Sequence, residues 1–104
     1  MDVMQNLDAE RAILGLAMQD SACAQAVAAM EEGLWTDSAH KAVQRAIRRM
    51  VQRGAKIDLA SLCAECACDV QEPEAMLMDC LSRGISPVML PQYESILQGC
   101  KRRR

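Results

Sequence analysis

With 104 residues, 51% of them hydrophobic but no Phe and only 2% aromatic, the chain has material for one domain whose modest core comes from Ala, Leu, Met and Cys. Ala, Leu and Met favour helix, and residues that favour strands are scarce, so an all-α fold is expected. A formal charge of −2 hides an asymmetry: residues 38–53 carry five cations and no anion, residues 101–104 carry four cations, and elsewhere 3 basic residues face 14 acidic ones, which suits docking to a charged partner better than coating a nucleic acid.

The first apolar-periodic segment opens at Asn6, with Asp8 and Glu10 in the first turn where the helix dipole favours negative charge. Leu7, Ile13, Leu14, Ala17 and Met18 follow at helical spacing, and Gly15 leaves room for a close neighbour. Asp20 and Ser21 start a second, short helix with Ala22, Cys23, Ala26, Val27 and Met30 on one face, ending at Glu31-Glu32-Gly33. Trp35, in the connection that follows, is expected to plug the core.

Asp37 caps a third helix, whose residues Ala39, Ala42, Val43, Ala46, Ile47, Met50 and Val51 make an apolar stripe of about four turns. Gly54 fits the left-handed position just past its end. Asp58 caps a fourth helix with Leu59, Leu62, Cys63, Cys66, Ala67 and Val70 facing inward. Pro73 opens a fifth, with Met76, Leu77, Cys80 and Leu81 inside and Gly84 as its stop. Pro91 opens a sixth, with Tyr93, Ile96, Leu97 and Cys100 as its stripe.

Cys63, Cys66 and Cys68 are spaced somewhat like metal ligands, but a structural zinc site needs a second ligand pair. Cys63 and Cys66 already fit a buried helix face, so all three read as small hydrophobes or free thiols. No metal or cofactor is expected. No run approaches the roughly 18 apolar residues of a membrane span, and the N-terminus lacks the layout of a signal peptide, so the protein is expected to be cytoplasmic with its six cysteines reduced. His40, the sole histidine, reads as solvent-facing. The carboxylates at helix starts read as caps. No phosphate-binding loop, dinucleotide fingerprint or Ser/His/Asp set is present, so no catalytic site is assigned to the chain.

Lys41, Arg45, Arg48, Arg49 and Arg53 form a basic band opposite the apolar stripe of the third helix. Either it is a solvated face favoured by the dipole, or it meets an acidic partner or phosphates. A helix-turn-helix is the sharper alternative, with Gly54 to Asp58 as the turn. Its second helix, however, reads LASLCAECAC and offers no Arg, Lys, Asn or Gln to a base edge, so direct DNA binding is expected to be weak or absent.

Three segments, NLDAERAILGLAMQD at Asn6 to Asp20, LWTDSAHKAVQRAIRRMVQRGAKIDLASL at Leu34 to Leu62 and ISPVMLPQYESILQGC at Ile85 to Cys100, resemble in order and spacing the N-terminal domain of bacterial replicative DNA helicases, the DnaB family. The resemblance rests on an N-L-x-A-E-x-x-x-L-G opening, a bulky aromatic shortly before a histidine in a helix that ends in G-x-x-I-D-L, and Pro87, Tyr93 and Ile96 ahead of a hairpin. It implies a compact bundle of about six helices in one domain over residues 1–104, a head to about residue 86 and the start of a truncated hairpin arm over 87–104. It further implies self-association, docking of the C-terminal domain of primase, and contact with a helicase loader. ATP and magnesium would belong to an ATPase unit not in this chain. The stretch Val70 to Ala75 is shorter than the family's, with Pro73-Glu74 in place of a Gly-Gly turn. Since the chain stops at Lys101-Arg102-Arg103-Arg104, inside the first hairpin helix, Tyr93, Ile96, Leu97 and Cys100 are expected to lack an intramolecular partner and to form an association surface. Two other readings stand beside this one: a small helix-turn-helix regulator, and a stand-alone module that acts on a helicase.

Overall fold

The computed structural model describes residues 3–103 of the chain, whose regular structure is all helical: α1 (Val3–Gln19), α2 (Ser21–Ala29), α3 (Ser38–Gln52), α4 (Leu59–Glu65), α5 (Pro73–Arg83) and α6 (Leu90–Arg103), with short 3-10 turns at Glu32–Leu34 and Pro87–Met89. Helix α1 is the hub. It packs against α2, α3, α5 and α6, and from Ala12 to Met18 every residue is buried. A helix buried all round must be apolar all round, and A-I-L-G-L-A-M meets that need. Helix α3 lies against α2, and α4 joins α3 to α5.

Two of the caps read from the sequence hold their helices by side-chain hydrogen bonds to backbone, whereas Asp20 stands at the start of α2 without one. The Asp37 carboxylate accepts from Ala39 N at 2.8 Å and His40 N at 3.1 Å, and that of Asp58 accepts from Ser61 N at 2.8 Å. Gly54 has φ +73 in open space, as the left-handed stop of α3 requires. Trp35 is buried among the core residues.

Gly15 and Gly84 mark a close approach of two backbones. A methyl built on Gly15 would overlap the Cys80 carbonyl, and one on Gly84 would sit 2.7 Å from Leu16 N. Backbone therefore meets backbone where α1 crosses the end of α5. The Gln19 amide closes this joint by donating to Gly84 O at 2.7 Å and Gly15 O at 3.2 Å.

Some elements differ from expectation. Asn6 lies inside α1, which is already helical at Val3, so it is no cap. Helix α4 ends at Glu65, and Ala67, expected inside, is exposed beyond it. Leu97 is fully buried, and Cys100 is 7% exposed. The inner part of the α6 stripe is covered within the chain, with α1 as the main neighbour of α6, while Tyr93 and Ile96 stay half-buried at its edge. The structure thus supplies the intramolecular partner that the truncated-arm expectation lacked.

Candidate functional surfaces

A polar cluster lies in the middle of the apolar bundle. Glu10, 0% exposed, sits one helical turn from Asn6 on α1, facing the start of α3. Its Oε1 receives the His40 Nδ1 at 2.7 Å. Its Oε2 accepts from Asn6 Nδ2 at 2.6 Å, Thr36 Oγ1 at 2.7 Å and Thr36 N at 2.9 Å, while Asn6 Nδ2 also donates to Thr36 Oγ1 at 2.8 Å. Burial alone would raise the Glu10 pKa. The donors from His40 and Thr36 outweigh it and hold the carboxyl below its ordinary range. The Thr36 hydroxyl is spent on Glu10 and not on the imidazole, so the order of contacts is not nucleophile, base, orienter. Chemically the cluster is a joint, tying α1 to the loop and first turn of α3.

Two expectations are corrected here. His40 is buried, at 2% exposed, and is not solvent-facing, because the Glu10 carboxylate provides the hydrogen bond that burial demands. Glu10 is not a dipole partner of a first turn, since α1 starts well before it. The sequence held a signal for both: Asn6 and Glu10 extend the stripe of Ile13 and Ala17 in steps of three and four, and are polar where that stripe should be apolar. Gln44 was missed in the same way. It is fully buried, and its amide donates to Met30 O at 2.8 Å and Val27 O at 3.0 Å, closing the end of α2.

The basic band is present on one side of α3, and four of its five residues are engaged within the chain. Arg45 donates to Glu32 through Nη2 at 2.9 Å and Nε at 3.1 Å. Arg48 joins the same carboxylate at 3.2 Å and also reaches Ala28 O and Met30 O, each at 2.9 Å. Arg49 donates to Glu65 Oε2 at 2.9 Å, and Arg53 to Oε1 of the same carboxylate. Hydrogen bonds from Arg53 and Arg49 hold the Glu65 carboxyl down to about 2. Lys41 is half-buried on the same helix. Beside the band, Ser38, Ala42, Arg45 and Arg49 form one wall of a trough of about 510 Å³, with Asp69, Val70 and Gln71 as the other.

Of the α6 residues, Leu97 and Cys100 are buried, whereas Tyr93 and Ile96 are half-buried and line a shallow groove with Asp8, Ala9, Ala12 and Arg83. Cys23, Cys63, Cys66, Cys68 and Cys80 are free thiols, and the described residues hold no group of three or more His, Cys, Asp or Glu able to bind a metal. No described helix is long and apolar enough to cross a membrane.

No curated protein and no solved structure matches the chain in the comparisons made. A family model does: that of the DnaB-like helicase N terminal domain matches residues 2–98, nearly the whole chain. Asn6, Glu10, Gly15 and His40, the motif positions that carried the resemblance, are also those that hold α1 to the start of α3 and to α5, and the chain belongs to the DnaB-like helicase N-terminal domain family.

Proposed function

We propose that this domain is the non-catalytic head of a DnaB-like replicative helicase, working in the cytoplasm, that self-associates and docks the C-terminal domain of primase, with a helicase loader as a further partner. The observation that carries this reading is the family match over residues 2–98. ATP and magnesium would act in an ATPase unit outside this chain. For self-association the open part of the α6 stripe is the candidate: Tyr93 and Ile96 present an apolar edge beside Ala9 and Ala12, and the pair Asp8 and Arg83, 3.1 Å apart, could exchange partners across an interface. Leu97 and Cys100 support that edge from beneath.

The test is a calorimetric titration with the primase C-terminal domain, duplex DNA being titrated in parallel, together with sedimentation of the protein and of Ile96→Asp. Primase binding without DNA binding, and an oligomer that Ile96→Asp dissociates, are the expected results. Binding to DNA alone at a defined sequence would overturn the reading in favour of a helix-turn-helix regulator. A monomer at all concentrations that ignores primase would overturn both the association and the docking.

A further inference from the structure

We propose that the trough between α3 and residues 69–71 is a docking site for an acidic stretch of a protein partner. Ser38, Ala42, Arg45 and Arg49 step along α3 by four, three and four residues, so all four line one side of a groove of about 510 Å³. Val70, 6% exposed, supplies an apolar surface, and the Gln71 side chain is exposed at the rim. The groove has room for a carboxylate side chain and the turn of backbone that bears it.

The two arginines are oriented in advance. Arg45 spends Nε and Nη2 on Glu32, and Arg49 spends Nε on Glu65 Oε2 and Nη2 on the Glu65 carbonyl at 3.4 Å. Among the described residues each guanidinium thus keeps its Nη1 edge uncommitted while its chain is held in place. A planar fork held this way loses little rotamer entropy when a second carboxylate arrives. Charge is also left over. Four arginines share two glutamates, with Asp69 3.8 Å from Arg49 as a third anion and Lys41 as a further cation on the helix. This is a positive surface on an otherwise acidic chain.

A nucleic acid fits less well. Glu32, Glu65 and Asp69 are interleaved with the cations and would face successive phosphates, whereas backbone binding needs free cations in a row. A single acidic side chain entering between Arg45 and Arg49 meets their free edges. The inference rests on this geometry and not on the helicase reading, so either can fail alone.

The experiment is a titration of isotope-labelled protein followed by NMR, with a Glu- and Asp-rich decapeptide, its Gln and Asn counterpart, and a short duplex DNA as probes. The acidic peptide should shift the Arg45 and Arg49 Nε–H signals and the Gln71 amide saturably, more weakly as salt rises, while the neutral peptide leaves them in place. Arg45→Gln and Arg49→Gln, each made alone, should raise the peptide Kd about tenfold, the effect of losing one charge-assisted hydrogen bond. Ala42→Glu, which places a carboxylate in the trough and keeps both arginines, should do the same. Arg53→Gln removes a cation outside the trough and should change Kd less than about twofold. Equal losses in the trough variants and in Arg53→Gln would reduce the effect to diffuse attraction and overturn the site. So would no shift with the acidic peptide, or tighter binding of the duplex at the same signals.

Discussion

Donors from His40, Asn6 and Thr36 converge on the Glu10 carboxylate, and each would be left facing a group unable to satisfy it if the charge were removed. Glu10→Gln keeps the shape but offers one acceptor oxygen and an NH₂ that meets other donors. A destabilisation of about 2–4 kcal/mol is expected in urea unfolding, the range for breaking a buried charged network. His40→Asn places a donor nitrogen near the Nδ1 position and should cost clearly less than His40→Ala, which leaves a cavity and a carboxylate oxygen with only the long contact from Asp37 N at 3.5 Å. Equal losses would mean that the ring acts by volume alone. The pH dependence follows from the sign of the Glu10 shift. Its folded pKa lies below the ordinary 4.5, so its contribution is complete above that value and is lost as pH falls toward the folded pKa. The melting temperature should hold from neutral pH to about pH 5 and fall below it. Glu10→Gln should fall less steeply, keeping the part due to Glu65 and the other paired carboxylates. This network was the least legible feature of the sequence. Capping and burial ask for the same residue types, and only the helix start, three residues before Asn6, decides between them.

Among the helices, the caps and stripes were readable because they depend on neighbours within one turn. Asp37, Asp58, Gly54 and the α3 stripe all stand where the spacing put them. What the spacing left open was the reach of long side chains between elements. Arg48 looked like a member of a solvated band, yet it binds the last carbonyls of α2 and the Glu32 carboxylate together. Arg48→Ala should therefore cost about 1–2 kcal/mol by removing hydrogen bonds from a charged donor, whereas Arg45→Ala, at an exposed pair, should lower the melting temperature clearly less. Thermal melts of the two variants separate these outcomes. Glycines give a second contrast. Gly15→Ala should gain about 1 kcal/mol of helix propensity if only α1 mattered. The overlap with Cys80 O reverses the sign, and a net loss exceeding that of Gly54→Ala, about 1 kcal/mol for a strained left-handed position, is expected in urea unfolding.

For the molecule as a whole, the fold class followed from composition because Ala, Leu and Met dominate an almost ring-free core. The course of α6 did not. Its stripe looked unpartnered because only the second arm of a hairpin was considered as its neighbour, and the apolar run G-L-A-M within α1 was the sign of another. The thiols report on this packing. Burial pushes Cys80 up to about 12, and burial with the Asp20 carboxylate beside it pushes Cys23 up to about 11. Cys68 is exposed and Cys63 half-buried. Alkylation of the native protein at neutral pH, read by mass spectrometry, should modify Cys68 first and Cys63 next. Cys23, Cys66 and Cys80 should react only on unfolding. Early reaction of Cys80 would mean that α5 separates from α1 far more readily than their contact implies.

That crossing also governs how the head can deform. Packed helices slide past each other by trading rotamers in the layer between them, and at Gly15 and Gly84 there is no such layer to trade. Helices α1 and α5 therefore behave as a single strut. A displacement of either is expected to carry the other with it, leaving adjustment to the 3-10 turns at Glu32–Leu34 and Pro87–Met89.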